Sequence, residues 1–136
     1  MLHIAPRVLV VDDDAAICGV VEEALADDGW DVQTRTRGWA ALEFLQRGTV
    51  DVILLDLRLL DMEPETFLAL CREQGIGDTP VILLSAANGL DHHADRLGVS
   101  DWLAKPFDIN DLCTIVGQFL PQDQGDGGAV RVANGR

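Results

Sequence analysis

Residues 52–56, Val-Ile-Leu-Leu-Asp, constrain the fold of this chain more than any other stretch. Four large apolar residues without polar alternation are typical of a strand that is buried on both faces of a parallel sheet. In open α/β sheets, ligands bind just outside the carboxyl ends of the strands. Asp56, the last residue of the run, is therefore predicted to leave the core and enter a binding site.

Three other apolar runs also end in polar side chains. They lead into a carboxylate cluster, a hydroxyl and an ammonium, which are Asp12–Asp14, Ser85 and Lys105. Segments with apolar residues at helical spacing separate the runs, so that strand and helix alternate five times. This alternation predicts an α/β fold, a doubly wound parallel sheet of five strands with helices on both faces. In such a sheet the polar groups at the strand ends converge on one edge.

Local signals predict several helix boundaries. Asp14 and Asp108 are predicted N-caps, and Pro64 is placed as the first residue of the third helix. A short fourth helix is predicted from about Leu90 to Leu97, with Gly98 ending it. The first helix is predicted to bury one face, formed by Ile17, Val20, Val21, Ala24 and Leu25.

Length and composition indicate a single domain. Of the 136 residues, 48% are hydrophobic, which is enough for a core. The domain is predicted to span residues 1–120. The segment 121–136 is rich in Gly and Asp, has no apolar periodicity and is expected to form a disordered tail.

Charge, cysteine usage and targeting signals narrow the class of protein. The net charge of −13 argues against direct binding to nucleic acid phosphates. No apolar stretch approaches the roughly 20 residues of a membrane span, and no signal peptide is recognisable at the N-terminus. Cys18, Cys71 and Cys113 form no CxxC pair and are interpreted as core residues in a reducing compartment. We therefore expect a cytoplasmic protein that binds neither nucleic acid nor membrane directly.

The carboxylates at the strand ends predict a cation site, because neighbouring carboxylates repel one another unless a cation neutralises them. Mg²⁺ fits, with Asp12 and Asp13 holding it directly or through water and Asp56 supplying a further oxygen. Lys105, the only lysine among ten basic residues, would balance the remaining charge. Ser85 would offer its hydroxyl to an oxyanion, which completes a layout for phosphoryl transfer. The plainer interpretation is a solvated turn and an ordinary strand end.

On these motifs the chain resembles a response-regulator receiver domain from residue 7 to about residue 120. The matching stretches are VLVVDDD at 8–14, ILLDL at 53–57, VILLSA at 81–86 and GVSDWLAKPF at 98–107. The fold expected for such a chain is the flavodoxin-like (βα)5 arrangement with strand order 2-1-3-4-5.

The resemblance implies a role for each residue at the strand ends. Asp56 would be the phosphoacceptor, which takes a phosphoryl group from a phosphohistidine on a sensor histidine kinase or a phosphotransfer protein. Asp12, Asp13, Asp56 and the backbone carbonyl of Arg58 would bind Mg²⁺. Such a chain is a signalling phosphoacceptor and not an enzyme acting on other substrates.

Other residues would contact the phosphoryl group and pass the signal on. Ser85 and Lys105 would contact the phosphoryl oxygens, and the Lys105-Pro106 bond is expected to be cis. Trp102 lies where the family usually has a Tyr or Phe that changes rotamer on activation. Ser85 and Trp102 are therefore the predicted switch residues, and a downstream protein is the expected recipient. Arg96 is predicted to join Trp102 in contacting it.

The sequence departs from the family in three places, one of which is Trp102, whose side chain is bulkier than the usual switch aromatic and is not expected to rotate inwards freely. Leu60 and Pro64 follow the acceptor where the family usually has Pro and Gly, which predicts a loop with its own backbone path. The segment between Ser85 and Lys105 is about two residues shorter than usual, which affects the fourth helix and a surface through which many receivers signal.

Two alternatives remain open. A phosphatase of the haloacid-dehalogenase type would use Asp12 as its nucleophile, but it needs a further acidic pair after Lys105 and would leave Asp56 without a role. The second alternative is a receiver-like interaction module that is never phosphorylated. The complete set of acids, hydroxyl and lysine argues against it. Labelling with acetyl phosphate distinguishes these readings.

Overall fold

The structure is a computed structural model that describes residues 5–86 and 88–120. The tail predicted for residues 121–136 lies outside the described residues. None of the described helices is both long and apolar enough to cross a membrane.

Five strands alternate with five helices along the chain, as the apolar runs predict. The strands are β1 (Arg7–Val11), β2 (Asp31–Arg35), β3 (Val52–Asp56), β4 (Val81–Ser85) and β5 (Asp101–Ala104). The helices are α1 (Ala15–Asp27), α2 (Gly38–Arg47), α3 (Pro64–Glu73), α4 (Leu90–Leu97) and α5 (Ile109–Gly117).

All five strands pair in parallel in the order β2-β1-β3-β4-β5, which confirms the predicted topology. The register places Val11 opposite Leu55 and Asp56 opposite Leu84. The carboxyl ends of β1, β3 and β4 are therefore level. The residues that follow them are brought to one edge of the sheet.

The core has two layers, one on each face of the sheet. Leu9 and Leu55 point into the layer that contains Phe67 of α3, and Val10 and Leu54 point into the opposite layer. Strands β3 and β4 are buried along their whole length, which explains why their sequences lack polar alternation. The edge strand β2 is only half-buried, in agreement with its alternating sequence.

The predicted helix starts are confirmed. The Asp14 carboxylate accepts hydrogen bonds from the backbone N–H groups of Ala16 and Ile17, and that of Asp108 accepts one from Asn110. Each such cap contributes about 1 kcal/mol to stability. Pro64 is the first residue of α3. The short α4 also has the predicted bounds, and it ends at Gly98, whose φ of 70° is left-handed.

The prediction for the buried face of α1 is wrong in one residue. Val20 is 50% exposed, while Cys18, Val21 and Leu25 form the fully buried stripe. These three residues follow the i, i+3, i+7 spacing of a narrow face. The small Cys18 lies where the helix approaches the sheet, and its thiol donates to the backbone carbonyl of Asp12. Val20 is turned outwards as a result.

Candidate functional site

Three carboxylates meet at the edge where β1 and β3 end. One oxygen each from Asp12, Asp13 and Asp56 can be chosen so that all three lie within 4.8 Å of one another. Asp12 and Asp56 are buried and Asp13 is half-buried. The sequence prediction that these residues converge is confirmed.

Lys105 directly follows β5, and its side chain reaches this cluster. Its Nζ lies 2.7 Å from Asp12 Oδ2 and 3.8 Å from Asp56 Oδ1. The backbone N–H of Lys105 donates to the carbonyl of Ser85, which holds the start of its side chain beside the end of β4. The Lys105-Pro106 bond is cis, as predicted.

The charges in the cluster fix the protonation of the lysine. Burial by itself would lower the pKa of Lys105, but its close contact with the Asp12 carboxylate and the charge of Asp56 outweigh this effect, and the pKa is raised. Lys105 is therefore a permanent cation at neutral pH.

The ionised form of Asp56 is disfavoured in the folded state. Burial raises the pKa of its carboxyl group to about 6, and the charge of Asp12 adds to the rise. Lys105 and the backbone N–H of Arg58, which donates to the Asp56 carboxylate, only partly offset these effects. At neutral pH the carboxylate is mostly ionised but is held at a free-energy cost.

The two oxygens of Asp12 differ in their surroundings. Oδ1 accepts a hydrogen bond of 2.9 Å from the backbone N–H of Asp14. Oδ2 is buried and has no well-aligned hydrogen bond among the described residues, although the Lys105 ammonium is close to it. The contact is thus a close ion pair, which partners Oδ2 with the Lys105 ammonium.

The donor set fits a hard divalent cation. Three carboxylates and one ammonium leave a formal charge of two negative units at the site. Carboxylate oxygens are the ligands that Mg²⁺ prefers, and the excess of negative charge over the single ammonium leaves room for a further cation. Asp12, Asp13 and Asp56 are the residues that could hold such a cation.

The predicted switch residues lie on the neighbouring strands. Ser85 is buried at the end of β4, one residue beyond the residue that pairs with Asp56. Trp102 of β5 is 39% exposed and lines a shallow surface groove with Thr114 and Ile115 of α5. The structure therefore holds this Trp in an outward position.

Arg96 of α4, the other predicted contact residue, is directed towards α3. Its guanidinium lies 2.6 Å from the carboxylate of Glu65, and both side chains are about half-exposed. It also lies 3.3 Å from Nδ1 of His93. The sequence alone did not indicate this link between α3 and α4.

Sequence reasoning also missed Asp61, in the loop between β3 and α3. Its two carboxylate oxygens accept hydrogen bonds from the backbone N–H groups of Gly38 (2.8 Å) and Trp39 (3.0 Å) at the start of α2. Burial alone would raise the pKa of Asp61, but these amides lower it. The partners are 22 and 23 residues away in sequence, so no local motif reports the contact.

The comparisons with known proteins agree with this fold and site. A model of the response regulator receiver domain matches residues 8–117. The chain belongs to the response regulator receiver domain family, which confirms the resemblance seen in its motifs.

Individual relatives are similar over most of this chain. The transcriptional regulatory protein DltR of Streptococcus agalactiae is 35% identical over 113 residues, which are 78% of this chain and 48% of that protein. This chain therefore spans about half the length of the first curated relatives that it matches.

Solved structures of receiver domains are also similar. The chemotaxis protein CheY4 of Vibrio cholerae has a TM-score of 0.78 at 29% identity, covering 86% of this chain and all of that one. The receiver domain of the sensor histidine kinase PA1611 from Pseudomonas aeruginosa has a TM-score of 0.76 at 28% identity, covering 85% and 98% of the two chains. That structure has a magnesium ion coordinated in the active site cleft.

Proposed function

We propose that this chain is the phosphoacceptor of a two-component phosphorelay, with Asp56 as the phosphorylated residue and Mg²⁺ as its cofactor. The donor is a phosphohistidine on a sensor histidine kinase or a phosphotransfer protein. The observation that carries the proposal is the placement of a buried, partly neutralised carboxylate beside two other carboxylates and one lysine.

Each residue has a distinct part in the transfer. An oxygen of Asp56 forms a bond to phosphorus as the bond between phosphorus and the histidine nitrogen breaks, and that nitrogen keeps the electron pair. Lys105 lies 3.8 Å from Asp56 Oδ1 and can approach the phosphoryl oxygens. Ser85 donates its hydroxyl to one of those oxygens.

The cation site is formed by Asp12, Asp13, Asp56 and the backbone carbonyl of Arg58. When bound, Mg²⁺ supplies positive charge that offsets both the carboxylates and the incoming phosphoryl oxygens. Asp12 is oriented for this role by the N–H of Asp14. Without the cation, the ionised form of Asp56 is unfavourable in the folded state, as its raised pKa shows. Binding of Mg²⁺ offsets this free-energy cost.

The remaining parts of the proposal concern context. Residues 1–120 act as the receiver unit, and the signal leaves as a conformational change at Ser85 and Trp102 that a protein partner reads. The relevant compartment is the cytoplasm, where the free thiols of Cys18, Cys71 and Cys113 remain reduced.

Labelling with radioactive acetyl phosphate in the presence of Mg²⁺ tests the acceptor. The wild-type chain should retain label, and Asp56→Asn should abolish it. Asp51→Asn is a matched control, because Asp51 lies just before β3, at the opposite end of the sheet, and should label normally. Mass spectrometry of the labelled chain identifies the modified residue.

Other outcomes support the alternatives. Turnover of acetyl phosphate that depends on Asp12 and survives Asp56→Asn would establish a phosphatase of the haloacid-dehalogenase type. Absence of both label and turnover in a folded wild-type chain would leave an interaction module. Undiminished labelling of Asp56→Asn, with Asp12 and Asp13 shown not to substitute, would refute the acceptor assignment.

A further inference from the structure

We propose that Asp61 is a positioning residue for the Mg²⁺ site, because it anchors the loop that carries Arg58 to the start of α2. The inference rests on the proposed function, since it assigns a further residue to the same site. Asp61 is not itself a ligand and acts through the backbone path of its loop.

The anchor consists of two adjacent contacts between the loop and α2. Asp61 accepts from Gly38 and Trp39, two of the N–H groups that the first turn of a helix leaves without partners. The residue before α2, Arg37, provides no side-chain cap. Asp61 therefore replaces the local N-cap of α2 with one supplied by the loop.

Met62 reinforces this contact. A Cβ built on Gly38 would lie 2.7 Å from Met62 Sδ, which is closer than such atoms approach. The side chain after Asp61 is thus packed directly on the backbone of α2. A Cβ at position 38 would force the Met62 side chain to shift, so Gly38 permits this close packing.

The loop is tethered on its other side by the acceptor itself. The backbone N–H of Arg58 donates to the Asp56 carboxylate, and Asp61 follows only three residues later. A span of three residues reaches at most about 10 Å, so the two tethers restrict where the Arg58 carbonyl can lie. Leu60, between them, is 70% exposed. It lacks the fixed φ that Pro would provide, so the loop depends on its anchor.

Removing the anchor should weaken Mg²⁺ binding. Residues that orient metal ligands typically change metal affinity by about 10- to 100-fold when they are replaced. Because Asp61 orients only one of the proposed ligands, we expect the Kd for Mg²⁺ to rise about tenfold in Asp61→Ala. Asp61→Asn keeps one acceptor oxygen for the two N–H groups and should give a smaller rise.

The experiment measures Mg²⁺ binding to the full chain by isothermal titration calorimetry, alongside urea unfolding. Asp51→Ala is the matched control, because the Asp51 carboxylate also accepts a backbone N–H, that of Arg7, at 2.8 Å. Asp51 lies just before β3, at the amino ends of the strands. We expect Asp51→Ala to lose stability while keeping the wild-type Kd.

A second measurement does not depend on any variant. Coupling free energies are reciprocal. If the Asp61 contact strengthens Mg²⁺ binding, then Mg²⁺ binding must stabilise the Asp61 contact to the same extent. Amide hydrogen exchange at Gly38 and Trp39 should therefore slow on adding Mg²⁺ to the wild-type chain. Exchange at Arg7 should slow less.

The outcomes separate the inference from the proposed function. A wild-type Kd in Asp61→Ala, or an equal rise in Asp51→Ala, would overturn the role of Asp61, as would unchanged exchange at Gly38 and Trp39 in a chain that binds Mg²⁺. Failure of the wild-type chain to bind Mg²⁺, or binding that Asp13→Ala leaves unaltered, would instead overturn the proposed cation site.

Discussion

Replacing the acceptor should stabilise the chain when no Mg²⁺ is present. Burial and the neighbouring Asp12 raise the pKa of Asp56 from 3.8 to about 6. Each pKa unit corresponds to about 1.4 kcal/mol, so the ionised carboxylate costs the folded state about 3 kcal/mol. Asp56→Asn removes this charge but also weakens the contacts with Lys105 and the Arg58 amide. We expect a net gain of about 2 kcal/mol in the free energy of unfolding at neutral pH.

The pH dependence of this gain has a definite sign. Because the pKa of Asp56 is higher in the folded than in the unfolded state, its penalty is complete above about pH 6. The penalty falls as the pH drops towards 3.8, where the unfolded carboxyl group is also protonated. The stability difference between Asp56→Asn and the wild type should therefore shrink between about pH 6 and pH 4.

Urea unfolding in EDTA, followed by circular dichroism at several pH values, measures this difference. Asp61→Asn is the matched control and should have the opposite effect. The wild-type Asp61 carboxylate is stabilised by two backbone N–H groups, so this variant should lose about 1 kcal/mol in the free energy of unfolding. Saturating Mg²⁺ should stabilise the wild type more than Asp56→Asn. A less stable Asp56→Asn chain at neutral pH in EDTA, or a gain that does not change with pH, would refute the electrostatic reasoning.

Three further predictions concern the same edge of the sheet. Lys105→Met should lower the free energy of unfolding in EDTA by about 3 kcal/mol, because it leaves buried carboxylates without their cation, and Mg²⁺ should restore part of the loss; an unchanged urea midpoint would contradict this. Asp13→Ala should remove most of the Mg²⁺ dependence of acetyl phosphate labelling, and a wild-type dependence on Mg²⁺ would exclude Asp13 as a ligand. With Trp30 and Trp39 replaced by Phe, Trp102 fluorescence should change on titration with beryllofluoride and Mg²⁺, and an unchanged signal at saturation would reject Trp102 as a switch.

The sheet was predictable because a strand that is buried on both faces is restricted to apolar residues. Strands β3 and β4 are enclosed on both faces, so every position is apolar until the chain reaches Asp56 or Ser85. The same logic predicted the carboxylate cluster, since parallel strands bring their carboxyl ends together. Caps such as Asp14 were also predictable, because a cap and its partners lie within one turn.

The errors and omissions have physical causes as well. An apolar pattern does not specify how wide the buried face of a helix is, and Val20 was therefore assigned to the core of α1 although it is exposed. The Asp61 contact joins a side chain to backbone N–H groups, which every residue except Pro provides. Such a contact depends on the path of the loop and not on the identity of its partner.

The carboxylates of this chain stabilise or destabilise the folded state according to the groups that they face. Asp14 and Asp61 face backbone N–H groups at helix starts, where an anion is favourable. Asp56 faces Asp12 in a buried site, and its ionised form is unfavourable there. The sheet tolerates this because the apolar layers behind β3 supply far more stabilising free energy than the site removes. A ligand that brings positive charge relieves the repulsion between Asp56 and Asp12, so the destabilised edge favours the binding of a cation.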